Sequence, residues 1–209
     1  MLLPALHLVT DRRFVPDLGQ AVTLALRNLP PGAAAVHLRE KDLGGRELLA
    51  LAREVGARCR AAGQLFLVND RLDVALASGA DGAHLPSAGV PPGEARRLLG
   101  PGRLVGVSCH GAEDVRRARE GGADFATFGP LHATPSKLAY GPPLGLGALA
   151  RAAQLGLPLV ALGGIDARNA AEARRSGAHG VGVIRAWLGV PDPGAAVLAM
   201  WHAVGPGGR

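Results

Sequence analysis

A chain of 209 residues that is 48% apolar but only 3% aromatic can bury one sizeable core, filled by Leu, Val and Ala, and leaves little length for a second domain. The formal charge is +6 at pH 7, yet Arg58, Arg60, Arg96, Arg97, Arg116, Arg117, Arg174 and Arg175 are scattered over amphipathic stretches without interleaved aromatics. That pattern argues against a nucleic-acid surface and for solvated helix faces, with a positive field that helps draw in anionic small molecules.

Two cysteines, Cys59 and Cys109, are too few for a metal set of their own and are expected to be reduced. The opening MLLPALHLVTD lacks the pattern of a secretory signal, and no apolar run reaches the roughly 18 residues of a membrane span, so a soluble, cytoplasmic protein with no membrane partner is expected.

Taken in chain order, apolar runs fall at 5–9 (ALHLV), 33–38 (AAAVHL), 65–68 (LFLV), 82–85 (GAHL), 104–107 (LVGV), 124–128 (DFATF), 157–162 (LPLVAL) and 180–184 (GVGVI). Helical patterns follow them at 17–29, 44–62, 70–78, 92–99, 112–121, 145–155, 167–176 and 193–203. One phrase recurs: DVALASGADGAHL at 73–85, RRAREGGADFATF at 116–128 and AEARRSGAHGVGV at 171–183. Each reads as the end of a helix, a glycine stop that supplies a left-handed cap, and the start of a buried parallel strand. Strict alternation with short joints over eight units predicts a single (β/α)8 TIM barrel over 1–209, with 205–209 a frayed tail.

A barrel of this kind builds its site at the carboxyl ends of its strands, so the polar residues just after each run become candidates. Arg39 and Lys41 follow the second run two residues apart and would face one side as a grip for a multiply charged group; a surface ion pair through Glu40 is the plain alternative. Asn69 and Asp70 follow the third run and offer oxygens suited to Mg2+, unless Asp70 merely caps the next helix.

Ser108, Cys109 and His110 follow the fifth run. The sixth leads into GPLHATPSK, a loop with His132, Thr134, Ser136 and Lys137 that is long enough to be a lid. Either histidine is a candidate acid or base, or else structural. Gly163 and Gly164 precede Asp166, a candidate N-cap, so backbone N–H groups there would face an anion; a tight turn needing positive φ is the alternative. Ile184 and Arg185 close the last strand.

The segments LVTD (8–11), LREKD (38–42), NDRLDVALASGADGAHL (69–85), GVS (106–108), GP..ATPSK (129–137) and ALGGID (161–166) together resemble the thiamine phosphate synthase family and its sister, the thiazole tautomerases, over about residues 6–188. The resemblance implies a (β/α)8 fold and transfer of hydroxymethylpyrimidine from its diphosphate to hydroxyethylthiazole phosphate, giving thiamine phosphate and diphosphate. It implies that Arg39, Lys41, Asn69 and Lys137 hold the diphosphate, that Asp70 binds Mg2+, and that Ser108 touches the leaving diphosphate or the pyrimidine. Thr134 and Ser136 would meet the thiazole phosphate with Gly163, Gly164, Ile184 and Arg185. Lys137, Ser108 and Asp70 form the implied catalytic set.

One position departs from the synthase pattern. Where a second Mg2+-binding Asp is expected after the fourth strand, the chain reads His84-Leu85-Pro86-Ser87-Ala88-Gly89, and HLPS is similar to the metal-independent tautomerase branch. On that alternative no cofactor is needed and His132 or His110 would transfer the proton, because Gly129-Pro130 replaces that branch's own histidine. A third alternative is a non-catalytic protein that binds thiazole or thiamine phosphates. The sequence leaves the oligomeric state open, with a homodimer among the options.

Overall fold

The computed structural model describes residues 2–133 and 142–205. Its strands are β1 (Leu6–Val9), β2 (Ala34–Leu38), β3 (Leu65–Asn69), β4 (Gly82–Leu85), β5 (Leu104–Cys109), β6 (Phe125–Phe128), β7 (Leu159–Leu162) and β8 (Gly180–Val183). All pairings are parallel, each strand lies beside the next in sequence, and β8 closes onto β1 through Leu6↔Val181 to Leu8↔Val183. The eight units expected from the alternating pattern thus form a closed (β/α)8 barrel.

Helices α1 (Leu18–Leu26), α2 (Gly45–Ala61), α3 (Leu72–Ser78), α4 (Pro92–Leu99), α5 (Ala112–Glu120), α6 (Gly145–Ala153), α7 (Ala170–Arg175) and α8 (Pro193–Val204) follow the strands in turn. Strand residues that face outward, such as Leu6, Leu8, Val36, Phe66 and Val181, join the helices' apolar faces in one core. Inward positions form a second cluster, with Ala35, Leu67, Leu104, Phe125 and Val160 buried inside the barrel. Both faces of each strand are buried, which is why the runs read as nearly continuous apolar stretches.

The recurring Gly-Ala-Asp phrase has a mechanical basis. The Asp81 N–H donates to the carbonyl of Phe66 at 2.8 Å, while its carboxylate accepts the N–H of that same Phe66 at 2.8 Å. Asp124 repeats both bonds on Val105, at 2.8 and 2.6 Å. Each aspartate therefore satisfies a strand's first backbone groups where the ladder is not yet formed. The glycine at each of the three joints is left-handed, at φ 68° for Gly79, 82° for Gly122 and 97° for Gly177, so in the second copy it is the later of the two glycines that turns the chain.

The dispersed arginines behave as helix surface. Arg58 pairs with Glu54, Arg97 with Glu94, Arg116 with Glu113 and Arg117 with Asp114 within their own helices. Among the described residues no helix is long and apolar enough to cross a membrane.

Candidate active site at the carboxyl ends of the strands

The loops after β1 and β2 are locked together by a buried carboxylate. Glu40 is 5% exposed and accepts the Thr10 hydroxyl at 2.6 Å and the Arg12 N–H at 3.1 Å from each of its oxygens. Thr10 in turn accepts the backbone N–H of Arg39 at 2.9 Å. Glu40 is therefore no partner in a surface pair with its neighbours: it faces inward, fixes the backbone of Arg39, and leaves Arg39 and Lys41 on the opposite side. Arg39 is half-buried and Lys41 exposed. Asp11, beside them, is held below the usual carboxylate range, first by its side-chain hydrogen bond from Arg13 and to a lesser degree by the charges of Arg13 and Arg39.

Asn69 is the last residue of β3 and sits opposite His84 in the β3–β4 register. Asp70 continues the ladder, its N–H donating to the carbonyl of His84 at 2.9 Å, and then turns sharply, with Arg71 N–H bonding back to Asn69 at 2.8 Å. It does not cap α3, whose N-cap is Arg71 with no side-chain bond. Asp70 is also the one non-glycine residue with positive φ (67°) among the described residues; it is exposed, and its carboxylate accepts no hydrogen bond from any of them. Aspartate tolerates the left-handed region better than most residues, and here the turn leaves its carboxylate exposed at the end of β3.

The turn after β4 explains the missing second carboxylate. Gly89 N–H bonds to the carbonyl of Pro86 at 3.0 Å, and a Cβ at Gly89 would lie 2.8 Å from the ring carbons of Pro86. Gly89 and Pro86 are one unit, and no side chain enters at 89 unless the proline moves. Among the described residues no three His, Cys, Asp or Glu side chains group as a metal site.

Ser108 lies within β5 rather than after it, opposite Thr127. His110 donates its Nδ1–H to the carbonyl of Gly129 at 2.6 Å, joining the β5 and β6 ends. His132 is half-buried, and its Nε2 is sealed from solvent without a partner among the described residues. The β6 loop then zips onto the β7 loop through Leu131 N–H to Leu162 O at 2.8 Å and His132 N–H to Gly163 O at 3.0 Å. Gly163 and Gly164 have φ of 99° and 67°, and a Cβ on either would meet Pro130 or His132 at under 3 Å, so both glycines are required by the turn itself.

Asp166 is not the cap of α7. Asn169 holds that position, and Asp166 accepts the backbone and guanidinium of Arg168 instead. Ile184 is half-buried and Arg185 exposed just beyond β8, where Trp187 ties the loop to the Val9 carbonyl through its indole N–H at 3.2 Å. Thr134, Ser136 and Lys137 lie outside the described residues.

The floor beneath this rim escaped the sequence reading. His7 of β1, His37 of β2 and His84 of β4 are all buried. His7 and His37 share a 2.7 Å hydrogen bond, His84 bonds Thr127 of β6 at 3.1 Å, and the His37 and His84 rings meet edge-on at 5.3 Å. The ring of Phe125 lies within 6.1 Å of all three. Burial pushes His7 down to about 3 and His84 to about 4, Arg39 adding to the latter, and it holds His37 well below its ordinary value. All three are neutral at physiological pH. Polar residues inside buried strands were the available signal.

The strand ends thus carry a charged rim above a buried, neutral, hydrogen-bonded and aromatic floor. Comparison with known proteins shows the family of the chain. Residues 6–187 match the model of the thiamine monophosphate synthase family. The chain belongs to that family. It is 44% identical over 201 residues to a thiamine-phosphate synthase of a Roseiflexus species, covering 95% of this chain and 84% of that one. It is 44% identical to a thiamine-phosphate synthase of Methanoculleus marisnigri over 93% of this chain and 92% of that one.

Among solved structures, the thiamine phosphate pyrophosphorylase of Pyrococcus furiosus superposes with a TM-score of 0.86 at 32% identity, covering 97% of this chain and 95% of that one. A 3-hexulose-6-phosphate synthase at 19% identity and a TM-score of 0.69 shares the fold alone. The expectation of a transferase in thiamine biosynthesis is borne out by this family membership.

Proposed function

We propose that the chain couples hydroxymethylpyrimidine diphosphate to hydroxyethylthiazole phosphate, releasing thiamine phosphate and diphosphate. The observation that carries this reading is Asp70, an exposed carboxylate in the left-handed region directly after Asn69 at the end of β3, the strand next to the one that leads into Arg39 and Lys41. Arg39, Lys41, Asn69 and, from the sequence, Lys137 hold the diphosphate; Ser108 contacts the leaving group or the pyrimidine. Thr134, Ser136, the glycines at 163 and 164 and the Ile184–Arg185 loop receive the thiazole phosphate.

Asp70 suits Mg2+, which commonly joins one or two protein carboxylates to substrate phosphates, so one carboxylate is sufficient for a metal that the diphosphate itself helps to hold. When bound, Mg2+ would neutralise charge on the departing diphosphate. The chain's own residues orient the diphosphate, spread its charge as the carbon–oxygen bond breaks, and keep the pyrimidine facing the thiazole nitrogen. The same reading makes the protein cytoplasmic, with small phosphorylated partners and no nucleic acid.

Formation of thiamine phosphate from both substrates, with Mg2+ and with chelator, is the test. Asp70→Ala and Lys137→Ala should each lose nearly all activity, and an unchanged rate in both would overturn the assignment. The closed Pro86–Gly89 turn favours one second reading, a metal-independent tautomerase in which His132, whose Nε2 has no partner among the described residues, moves a proton. Solvent deuterium entering a thiazole carboxylate phosphate, abolished in His132→Ala, would favour that reading.

A further inference from the structure

A continuous set of close contacts runs from His110 at the end of β5 to the glycine turn after β7. The Nδ1 of His110 lies 2.6 Å from the carbonyl of Gly129, and a carbonyl can only accept, so this nitrogen carries a proton. The backbone of His110 is itself held, its N–H donating to Asp114 Oδ2 at 2.8 Å. Gly129 is buried, and the residue after it is proline, which has no N–H with which to extend the β5–β6 ladder. Beyond Phe128, the imidazole therefore joins the bond from Gly129 N–H to the Cys109 carbonyl, at 3.2 Å, in tying this end of β6 to β5.

From Gly129 the path to β7 has no slack. A Cβ on Gly129 would overlap the carbonyl oxygen of Leu162, one on Gly163 would lie 2.8 Å from Cα of Pro130, and one on Gly164 2.7 Å from Cβ of His132. The His132 N–H donates to the Gly163 carbonyl at 3.0 Å, and the Gly164 carbonyl accepts from Asn169 Nδ2 at 2.8 Å. In a trans peptide the N–H points opposite the carbonyl, so the first of these bonds sets the direction of the Gly164 N–H. A shift of Gly129 therefore reaches the amide that an anion at this turn would meet.

We infer that His110 is a positioning residue for the thiazole phosphate: its Nδ1–H holds Gly129 and, through Pro130 and His132, fixes the direction in which the Gly164 N–H faces that phosphate. On this account His110 touches no substrate and moves no proton. The inference rests on the reading in which the Gly163–Gly164 turn receives the phosphate of hydroxyethylthiazole phosphate.

Steady-state kinetics of thiamine phosphate formation test it. His110→Ala should raise KM for hydroxyethylthiazole phosphate about five- to tenfold, the scale of one hydrogen bond lost from a buried carbonyl, while KM for the pyrimidine diphosphate stays within about twofold. In His110→Asn the amide nitrogen takes the place of Nδ1 and can donate to the same carbonyl, so both KM values should lie within about twofold of wild type, although Asn transfers no proton. His110→Gln sets its amide one carbon further out, should behave as His110→Ala, and serves if that variant does not fold. An unchanged KM for the thiazole phosphate in the Ala or Gln variant, an equal rise in both KM values, or no rescue by Asn overturns the proposal.

A second readout needs no turnover. Inorganic phosphate added to nitrogen-15-labelled wild-type protein should shift the Gly164 amide signal, with about five- to tenfold more phosphate needed in His110→Ala and close to the wild-type amount in His110→Asn. The absence of a shift in wild type, or an equal phosphate requirement in all three proteins, overturns the proposal. Wild-type protein that shows this phosphate pattern but makes no thiamine phosphate overturns the substrate reading, while the hold of His110 on the turn stands.

Discussion

Acidification should unfold this barrel from the inside. His7, His37 and His84 are buried and neutral in the folded protein, with His7 pushed down to about 3, His84 to about 4 and His37 well below its ordinary value, desolvation being the largest cause in each. In the unfolded chain each titrates near about 6.5. As the pH falls through that value the unfolded state takes up protons that the folded state refuses, so stability declines with pH. From about pH 7.5 to about pH 5.5 the loss is about 1.4 kcal/mol for each histidine and about 4 kcal/mol for the three, and it levels off only as the folded-state values are reached. Against a typical total of about 5–15 kcal/mol this is a large share, and carboxylates of ordinary pKa contribute little in the same window.

Urea unfolding followed by circular dichroism at a series of pH values across that window should show the midpoint falling steadily at nearly constant slope in denaturant. Replacing His84 with Asn removes one of three titrating groups and should reduce the pH dependence by about one third, even though the variant starts from a lower stability. A stability that stays flat from about pH 7.5 to about pH 5.5, or a pH dependence untouched by His84→Asn, would refute the neutral histidine floor.

Two further expectations follow from close approaches. In Gly89→Asp the new side chain collides with Pro86, so the Mg2+ concentration needed for half-maximal product formation should not improve; in Gly89→Asp with Pro86→Gly the turn can open, and that concentration should fall. In Gly106→Ala the added Cβ would lie 2.2 Å from Cζ of Phe125, an overpacking expected to cost about 1–3 kcal/mol or more in urea unfolding, partly recovered by adding Phe125→Leu.

How much could be read beforehand depends on where each residue's partner lies. The strands and helices were legible because their signals are local: period, glycine stops, and polar residues at the ends of apolar runs. The rim was legible for the same reason, since Arg39, Asn69, Asp70 and Ser108 are marked by position in the chain. The partners of Glu40 are 30 and 28 residues away at Thr10 and Arg12, so its burial depends on the register of β1 against β2 and no local pattern shows it. Likewise, Asp166 and Asn169 are equally good caps on paper, and only the path of the β7 loop decides between them.

The floor was hidden for a deeper reason. In a strand buried on both faces the apolar pattern loses its alternation, so His7, His37 and His84 carry no label that separates lumen from helix side. Once the barrel closes, their neutrality becomes intelligible. A cation there would be desolvated, with no carboxylate among the described residues acting on any of the three rings, while Arg39 stands close enough to His84 to oppose a second positive charge. Positive charge is therefore kept at the rim, where Arg39 is half-buried and Lys41 exposed, and the floor stays neutral. The three histidines and Phe125 thus pack as one hydrogen-bonded, uncharged layer whose donor and acceptor roles are set by its own neighbours, Pro4 and Thr127 among them.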